Sequence, residues 1–378
     1  GVPCRILEAA DRIGGRVQTD QVDGFLLDRG FQVLLTAYPE ASRVFNYDQL
    51  QLREFEPGAL IRYGGRFVRF VDPWRRPRHL LATAFSPAAT FADKLRIALL
   101  RRNVTWDSLV ELFNQPETTT IDRLRKLGFS ERAITHFFRP FLGGVFLESD
   151  LQTSSRMFDF VFRMFSTGSA AVPARGMGQL TQQLAVSLPE GVVRCDCRVA
   201  KLKDQAVVLE TGEELPASQI VVACEQPAAC RLLGDSSPAK AHGVSCLYYA
   251  APKPPVAEPI LVLNGENKGP VNNLCVPTQV SRDYGPEGQA LISASVLQAD
   301  VSSNIETQVR DQLREWFGRQ VDQWRHLRTY EIPFALPDQS PPSLSPVSKG
   351  VERGNGRFVC GDYLHTASID GAITSGRL

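Results

Sequence analysis

The sequence has no two cysteines at the Cys-x-x-Cys spacing of a zinc or thiol–disulfide site; its 8 Cys are scattered from Cys4 to Cys360. Mostly buried, reduced thiols are therefore expected. With only 5 His, spread singly, no metal centre is expected. Charge of either sign is not in excess: 42 basic against 41 acidic residues leave a net charge of +1, which excludes any argument for a nucleic-acid partner. No apolar run approaches the roughly 20 residues that a membrane-spanning helix needs. What is present is a 378-residue chain, 43% apolar and 22% charged, with the composition of a globular protein. That length is too great for one simple core, so two domains are expected.

One stretch organises the rest. Arg5 to Leu7 form a short apolar run that ends on Glu8, and Arg12, Gly14-Gly15 and Arg16 follow. In a doubly wound sheet, the carboxylate that ends the second strand accepts hydrogen bonds from a ribose hydroxyl pair. Gly14 and Gly15 lack a Cβ, so backbone there can come close to a ligand. Arg16 offers a rigid fork of donors suited to a pyrophosphate. The strand, Gly-x-Gly-x-x-Gly turn and helix that ordinarily precede such a carboxylate, about 20 residues in all, are not in the chain, where only Gly1 to Leu7 stand before Glu8. The expectation is a chain cut inside its first βαβ unit, which would bind a dinucleotide poorly in this form.

Downstream, Gly30 interrupts the apolar run from Phe25 to Leu35, which marks a bulge or a close backbone approach. Residues 60–71 alternate around Gly64-Gly65 as a hairpin, and residues 73–78 break the pattern. Ser86-Pro87 is a good cap and first turn for a basic amphipathic helix with Phe91, Leu95, Ala98 and Leu99 on its apolar face. Such a helix can lie on a membrane, although a packed surface helix is the commoner case. Further helices are expected after Thr120, stopped by Gly128, and after Ser130, stopped at Arg139-Pro140. Phe158, Phe160, Phe162 and Phe165 suit either a core helix or the wall of an apolar pocket. Strands are expected over residues 192–195, 197–202, 206–210, 220–224, 244–250, 260–263 and 290–297. A helix carrying Ile305, Val309, Leu313 and Phe317 comes next, and residues 333–346 read as a Pro-rich linker. Finally an apolar strand delivers Gly361-Asp362, and Gly371-Ala372 open a helix whose N–H groups can face an anionic ligand.

The opening motif and the closing Gly-Asp and Gly-Ala pair, in that order, resemble the flavin-containing amine oxidase and carotenoid desaturase superfamily over nearly the whole chain. The Pro173-to-Leu180 segment is also similar to it. The resemblance implies an α/β protein: a Rossmann-like FAD-binding domain of the glutathione-reductase type with an inserted mixed α+β substrate domain. The nucleotide part would be residues 1–71, 173–225 and 350–378, and the substrate part residues 72–172 and 226–349. By the same resemblance, Glu8 binds the adenosine ribose, and Arg12, Gly14, Gly15 and Arg16 lie on the pyrophosphate side. Gly30, Phe31, Gln32 and Val33 pass beside the flavin ring, and Val199 clasps the adenine. Gly361 and Asp362 hold the ribityl chain, with Ile369, Gly371 and Ala372 at the helix start. Members often carry Arg two residues after the ribose carboxylate; here Ala10 stands there.

The expected activity is an FAD-dependent oxidoreductase with non-covalent FAD, since no Cys lies between Cys275 and Cys360 where covalent members carry one. Amine oxidases place an aromatic residue three positions before the helix glycine. Here that position is Ser368, which favours a desaturase-like or protoporphyrinogen-oxidase-like enzyme acting on an apolar conjugated molecule. An amine oxidase, a carotene isomerase and a cofactor-free non-enzyme are the alternatives. A nicotinamide-dependent dehydrogenase would also use Glu8, but it leaves the C-terminal motifs without a purpose. No catalytic residue is assigned; Tyr363 and His365 are near in sequence. The expected setting is cytoplasmic or peripheral to a membrane, with a small apolar or amine substrate.

Overall fold

The computed structural model describes residues 3–71, 75, 86–235, 240–297 and 303–378. Apart from Arg75, the break expected at residues 73–78 lies outside the described residues.

Two parallel strand pairs mark the nucleotide-binding part. Ile6–Leu7 pairs with Val193–Arg194, and Ile220–Val222 pairs with Arg357–Val359. The hydrogen bonds Glu8 N–H to Arg194 O (2.9 Å) and Cys197 N–H to Glu8 O (2.8 Å) fix the chain where the first pair ends. The second strand of that pair is followed by Val199–Lys203, Ala206–Leu209 and Glu214–Pro216, a three-stranded antiparallel sheet. The two parallel pairs are therefore assembled from segments far apart in sequence, whereas the antiparallel sheet is a local unit of residues 199–216.

The second part is built on a seven-stranded sheet. Its centre is Ala241–Ala251, Ala290–Val296 and Val271–Cys275, buried along almost their whole length. Arg325–Pro337 flanks one side. On the other side Leu261–Leu263 pairs in parallel with Gly58–Tyr63, which forms a hairpin with Arg66–Val71. Gly64 and Gly65, both at positive φ, make the expected turn. Residues 58–71, which the sequence division puts with the nucleotide part, thus complete the large sheet. Their alternation shows a strand but not the strand they pair with.

Helices cover one end of this sheet. Phe91–Trp106 starts at Thr90, which forms a capping box with Asp93. The expected start at Ser86-Pro87 is not used, because Thr90 accepts the Asp93 N–H at 3.1 Å while Asp93 returns a bond to the Thr90 N–H at 2.9 Å. The helix after Ser130 does not stop at Pro140. Glu131–Ala133 passes through a π-helical turn, Ile134–Phe138, into Arg139–Phe146. Widening the ladder before Pro140 leaves the missing N–H without consequence, so the chain continues as a helix. Ser155–Thr167 packs alongside with Phe158 and Phe160 buried. Ile305–Phe317 has the predicted face inward, with Val309 and Leu313 fully buried.

Two other expectations change. Pro333 lies inside a strand, not a linker, at a place where the register against Ala241–Ala251 shifts between the Val244–Ile332 and His242–Leu336 pairs. A shifted ladder does not call on the absent N–H. All 8 cysteines are free, but only Cys197, Cys246 and Cys275 are buried; Cys4 is exposed.

Candidate flavin site

A cavity of about 2360 Å³ is lined by Glu8 and Val199, by Arg16, Gly361 and Asp362, and by Phe137, Phe141, Phe162 and Phe165. The usual small-molecule pocket holds roughly 300–1,000 Å³, so this space accommodates a dinucleotide and a further ligand.

Of the residues expected at the site, Glu8, Gly14, Gly15, Arg16, Gly30, Phe31, Gln32, Val33, Val199, Gly361, Asp362, Ile369 and Ala372 all line this cavity. Arg12 and Gly371 do not. Arg12 instead pairs with Asp20, and Gly371 serves packing: a Cβ there would stand 1.9 Å from the Thr366 carbonyl oxygen. Tyr363 and His365 are also off the cavity lining. Tyr363 is buried in a separate apolar cluster, and the His365 ring stacks edge-on to Phe113 at 6.4 Å.

Around Glu8 the geometry is simple. One carboxylate oxygen accepts the Ala10 N–H at 2.8 Å, which orients the side chain while leaving the other oxygen. Arg16 donates to Asp362 at 2.8 Å and to the Ala335 carbonyl at 2.8 Å, linking residues 346 positions apart. Glu225 stands 3.5 Å from the same guanidinium. Burial raises the Glu225 carboxyl above its usual range, Arg16 partly offsets this, and Asp362 adds to it. Gln32 holds the turn from beneath, donating to Arg16 O at 2.8 Å and Arg29 O at 3.0 Å. Gly30 has φ +88° and a Cβ there would come 2.9 Å from Ile332 Cδ1, so the 30–33 backbone passes close under the strand that lines the cavity.

The closing helix differs in one detail from expectation. It begins at Ile369, and the Ser368 hydroxyl accepts the Gly371 N–H at 3.0 Å. The Gly371 N–H is thus engaged by the Ser368 hydroxyl.

A second polar group beside the cavity could not be read from the sequence. Asp20 accepts from Tyr330 (2.7 Å), Arg29 (3.3 Å), Arg328 (3.4 Å) and Arg12. Burial alone would raise its carboxyl, but the hydrogen bonds from Tyr330, Arg12 and Arg29 and the Arg29 charge outweigh that, leaving it at about 2. Asp20 and Tyr330 are 310 residues apart, and no local signal connects them.

These features fit FAD: a ribose-accepting carboxylate at one end, side-chain-free backbone at Gly14-Gly15 beside Arg16, and a second carboxylate and a bare backbone run farther along. A family model for flavin-containing amine oxidoreductases matches residues 1–378. The chain belongs to that family. It is an FAD-dependent oxidoreductase. Solved structures with the same fold include an oxidoreductase from Methanosarcina mazei, 15% identical over 99% of this chain and 93% of that one, with a TM-score of 0.72. A protoporphyrinogen oxidase candidate from Exiguobacterium is 16% identical over 99% and 91%, TM-score 0.73. Cyclohexylamine oxidase from Brevibacterium oxydans is 17% identical over 99% and 91%, TM-score 0.70. At these identities the likeness carries the fold of the flavoenzyme and not its substrate. A sequence search among curated proteins finds no match.

Proposed function

We propose that this flavoenzyme oxidises an apolar, conjugated molecule, in the manner of a desaturase or a protoporphyrinogen oxidase. The observation that carries the reading is the chamber beyond Asp362. It is walled by Phe137 and Phe141, stacked at 5.6 Å, and by Phe165, 5.2 Å from Phe141, while Ser368, also in the lining, carries no ring. Flat or extended apolar molecules gain dispersion and burial against such a wall. Arg75, Lys94 and Arg101 also line the cavity, with Arg101 donating to the Ser166 carbonyl at 3.1 Å.

The bound FAD supplies a two-electron acceptor for hydride. The protein's own part is binding and placement. Glu8 would accept the ribose hydroxyls, the 14–16 turn would hold the pyrophosphate and Val199 the adenine. Asp362 would accept from the ribityl chain, and the 30–33 backbone would hold the ring. The phenylalanine wall would bind the substrate and exclude water. Forming the double bond releases a proton together with the hydride; the proton passes to solvent, and no side-chain base is assigned.

Amine oxidation is the second reading, because putrescine oxidase and cyclohexylamine oxidase share the fold; isomerisation of a polyene is the third. Anaerobic mixing of the holoenzyme with polyenes, porphyrinogens, and primary and secondary amines tests all three. Bleaching of the flavin by a polyene or porphyrinogen is the expected result. Rapid bleaching by a simple amine, with the others inert, would reverse the assignment.

A further inference from the structure

The helix Phe91–Trp106 divides its surface in an unusual way. Asp93, Leu100 and Val104 face the core and are buried. Lys94, Ile97 and Arg101 line the cavity. The remaining side carries Phe91, Leu95, Leu99 and Trp106, which are 69%, 53%, 57% and 83% exposed. At 3.6 residues per turn these four fall within a sector of roughly 80°, and Arg102, also exposed, lies inside that sector. The sequence puts Phe91, Leu95 and Leu99 on one apolar face, for which packing is the commoner case; the fold leaves that face exposed. Isolated exposed apolar residues need no explanation, but an aligned row of four large ones does.

Charge says what covers the row. The helix has one acid, Asp93, and it is enclosed, accepting from Thr90 and Ser130. Its outward charge is therefore basic, from Arg102, while the partly exposed Arg96 stands 3.7 Å from Asp93. Of the acids just beyond the helix, Glu111 is engaged at the next helix's cap, accepting the Ser108 N–H at 2.7 Å, and Asp107 is partly enclosed. An apolar row with basic groups and no exposed acid along it matches the surface of a bilayer containing anionic lipid.

We propose that this face lies on an anionic membrane surface, with Phe91, Leu95, Leu99 and Trp106 among the upper acyl chains and Arg102 at the headgroup phosphates. The helix then carries the bilayer on one side and the cavity wall on the other. Docking stands on exposure and charge, independently of which substrate the enzyme oxidises.

The test is flotation of the FAD-loaded protein with phosphatidylcholine vesicles, with and without phosphatidylglycerol. The wild type is expected to float with the anionic vesicles. Replacing Phe91, Leu95 and Leu99 together by Ser is expected to lower binding at least about tenfold, with flavin absorbance and circular dichroism unchanged. Arg102→Glu, a single exposed change that tests the charge without touching the apolar row, is expected to weaken binding to anionic vesicles only. Wild type that stays in the soluble fraction, or a triple variant that floats as well as wild type, overturns the proposal. So does a stable dimer that the triple variant dissociates, since the row would then be an interface between two copies of this chain.

Discussion

Asp28 shows what burial does to a single group near the site. Its carboxylate accepts from Thr19 (2.5 Å), Met177 N–H (2.9 Å) and Tyr284 (2.8 Å), joining the nucleotide part to the large sheet. Burial outweighs these bonds and pushes its carboxyl up to about 6. Because folding raises this pKa, the folded state holds the proton more tightly than the unfolded chain. Its contribution to stability is therefore full below about pH 4 and is lost as pH rises through about 6, by roughly 3 kcal/mol for a shift of that size. In Asp28→Asn that dependence disappears. Urea titrations of both proteins across pH 4–7 should show their stability difference moving in that direction; parallel curves would contradict it. Asp362 makes a second residue-scale case. Asp362→Ala removes a charged acceptor and leaves Arg16 and Glu225 facing each other, and should weaken FAD binding about 10- to 100-fold by loss of one charge-assisted hydrogen bond. Quenching of flavin fluorescence measures it, and unchanged affinity would remove Asp362 from the site. That Glu8, Arg16 and Asp362 line the cavity was legible because each belongs to a short, ordered motif that contains glycine. Asp20 was not, since its partners Arg328 and Tyr330 are brought to it only by the tertiary fold.

At the scale of elements, the closing helix depends on one contact. With the Thr366 carbonyl 1.9 Å from where a Cβ would be, Gly371→Ala must push the helix start away from the 366 turn. A loss of about 1–3 kcal/mol is expected from such overpacking, seen as a lowered Tm, together with weaker FAD binding because Ile369 and Ala372 line the cavity. An unchanged Tm would show that the turn yields without cost. Elements with a strong local rule were readable: the Gly64-Gly65 hairpin, the helix over residues 305–317 and the strand leading to Gly361. Those that tertiary structure overrules were not. Thr90 displaced Ser86-Pro87 as a cap, a π turn carried a helix through Pro140, and a register shift let Pro333 stay inside a strand. The Thr90–Asp93 box is itself a local pattern that competes with Ser86-Pro87, whereas the π turn and the register shift depend on backbone neighbours whose positions the local pattern does not report.

At the scale of the whole molecule, the cavity exists because two discontinuous parts face each other. Its two carboxylate landmarks lie near opposite ends of the chain, and strand pairs such as Ile220–Val222 with Arg357–Val359 bring the C-terminal motif back beside the N-terminal one. The order of motifs made this arrangement readable in advance. The large sheet's recruitment of Gly58–Val71 was not readable, because a strand's own residues do not name its neighbour. The division of the chain into residues 1–71, 173–225 and 350–378 against the remainder is accordingly proposed with that hairpin moved to the substrate part.

The central claim is that FAD lies along this cavity with its adenosine at Glu8 and its ribityl chain at Asp362. Parallel titrations of FAD and FMN into wild type, Glu8→Gln and Asp362→Ala test it most directly, because FMN has the ribityl chain and lacks the adenosine. Glu8→Gln should weaken FAD by about tenfold, the worth of one hydrogen bond to a charged group, and leave FMN unchanged, whereas Asp362→Ala should weaken both. Equal effects of Glu8→Gln on the two ligands, or an Asp362→Ala protein that binds both like wild type, would contradict the account.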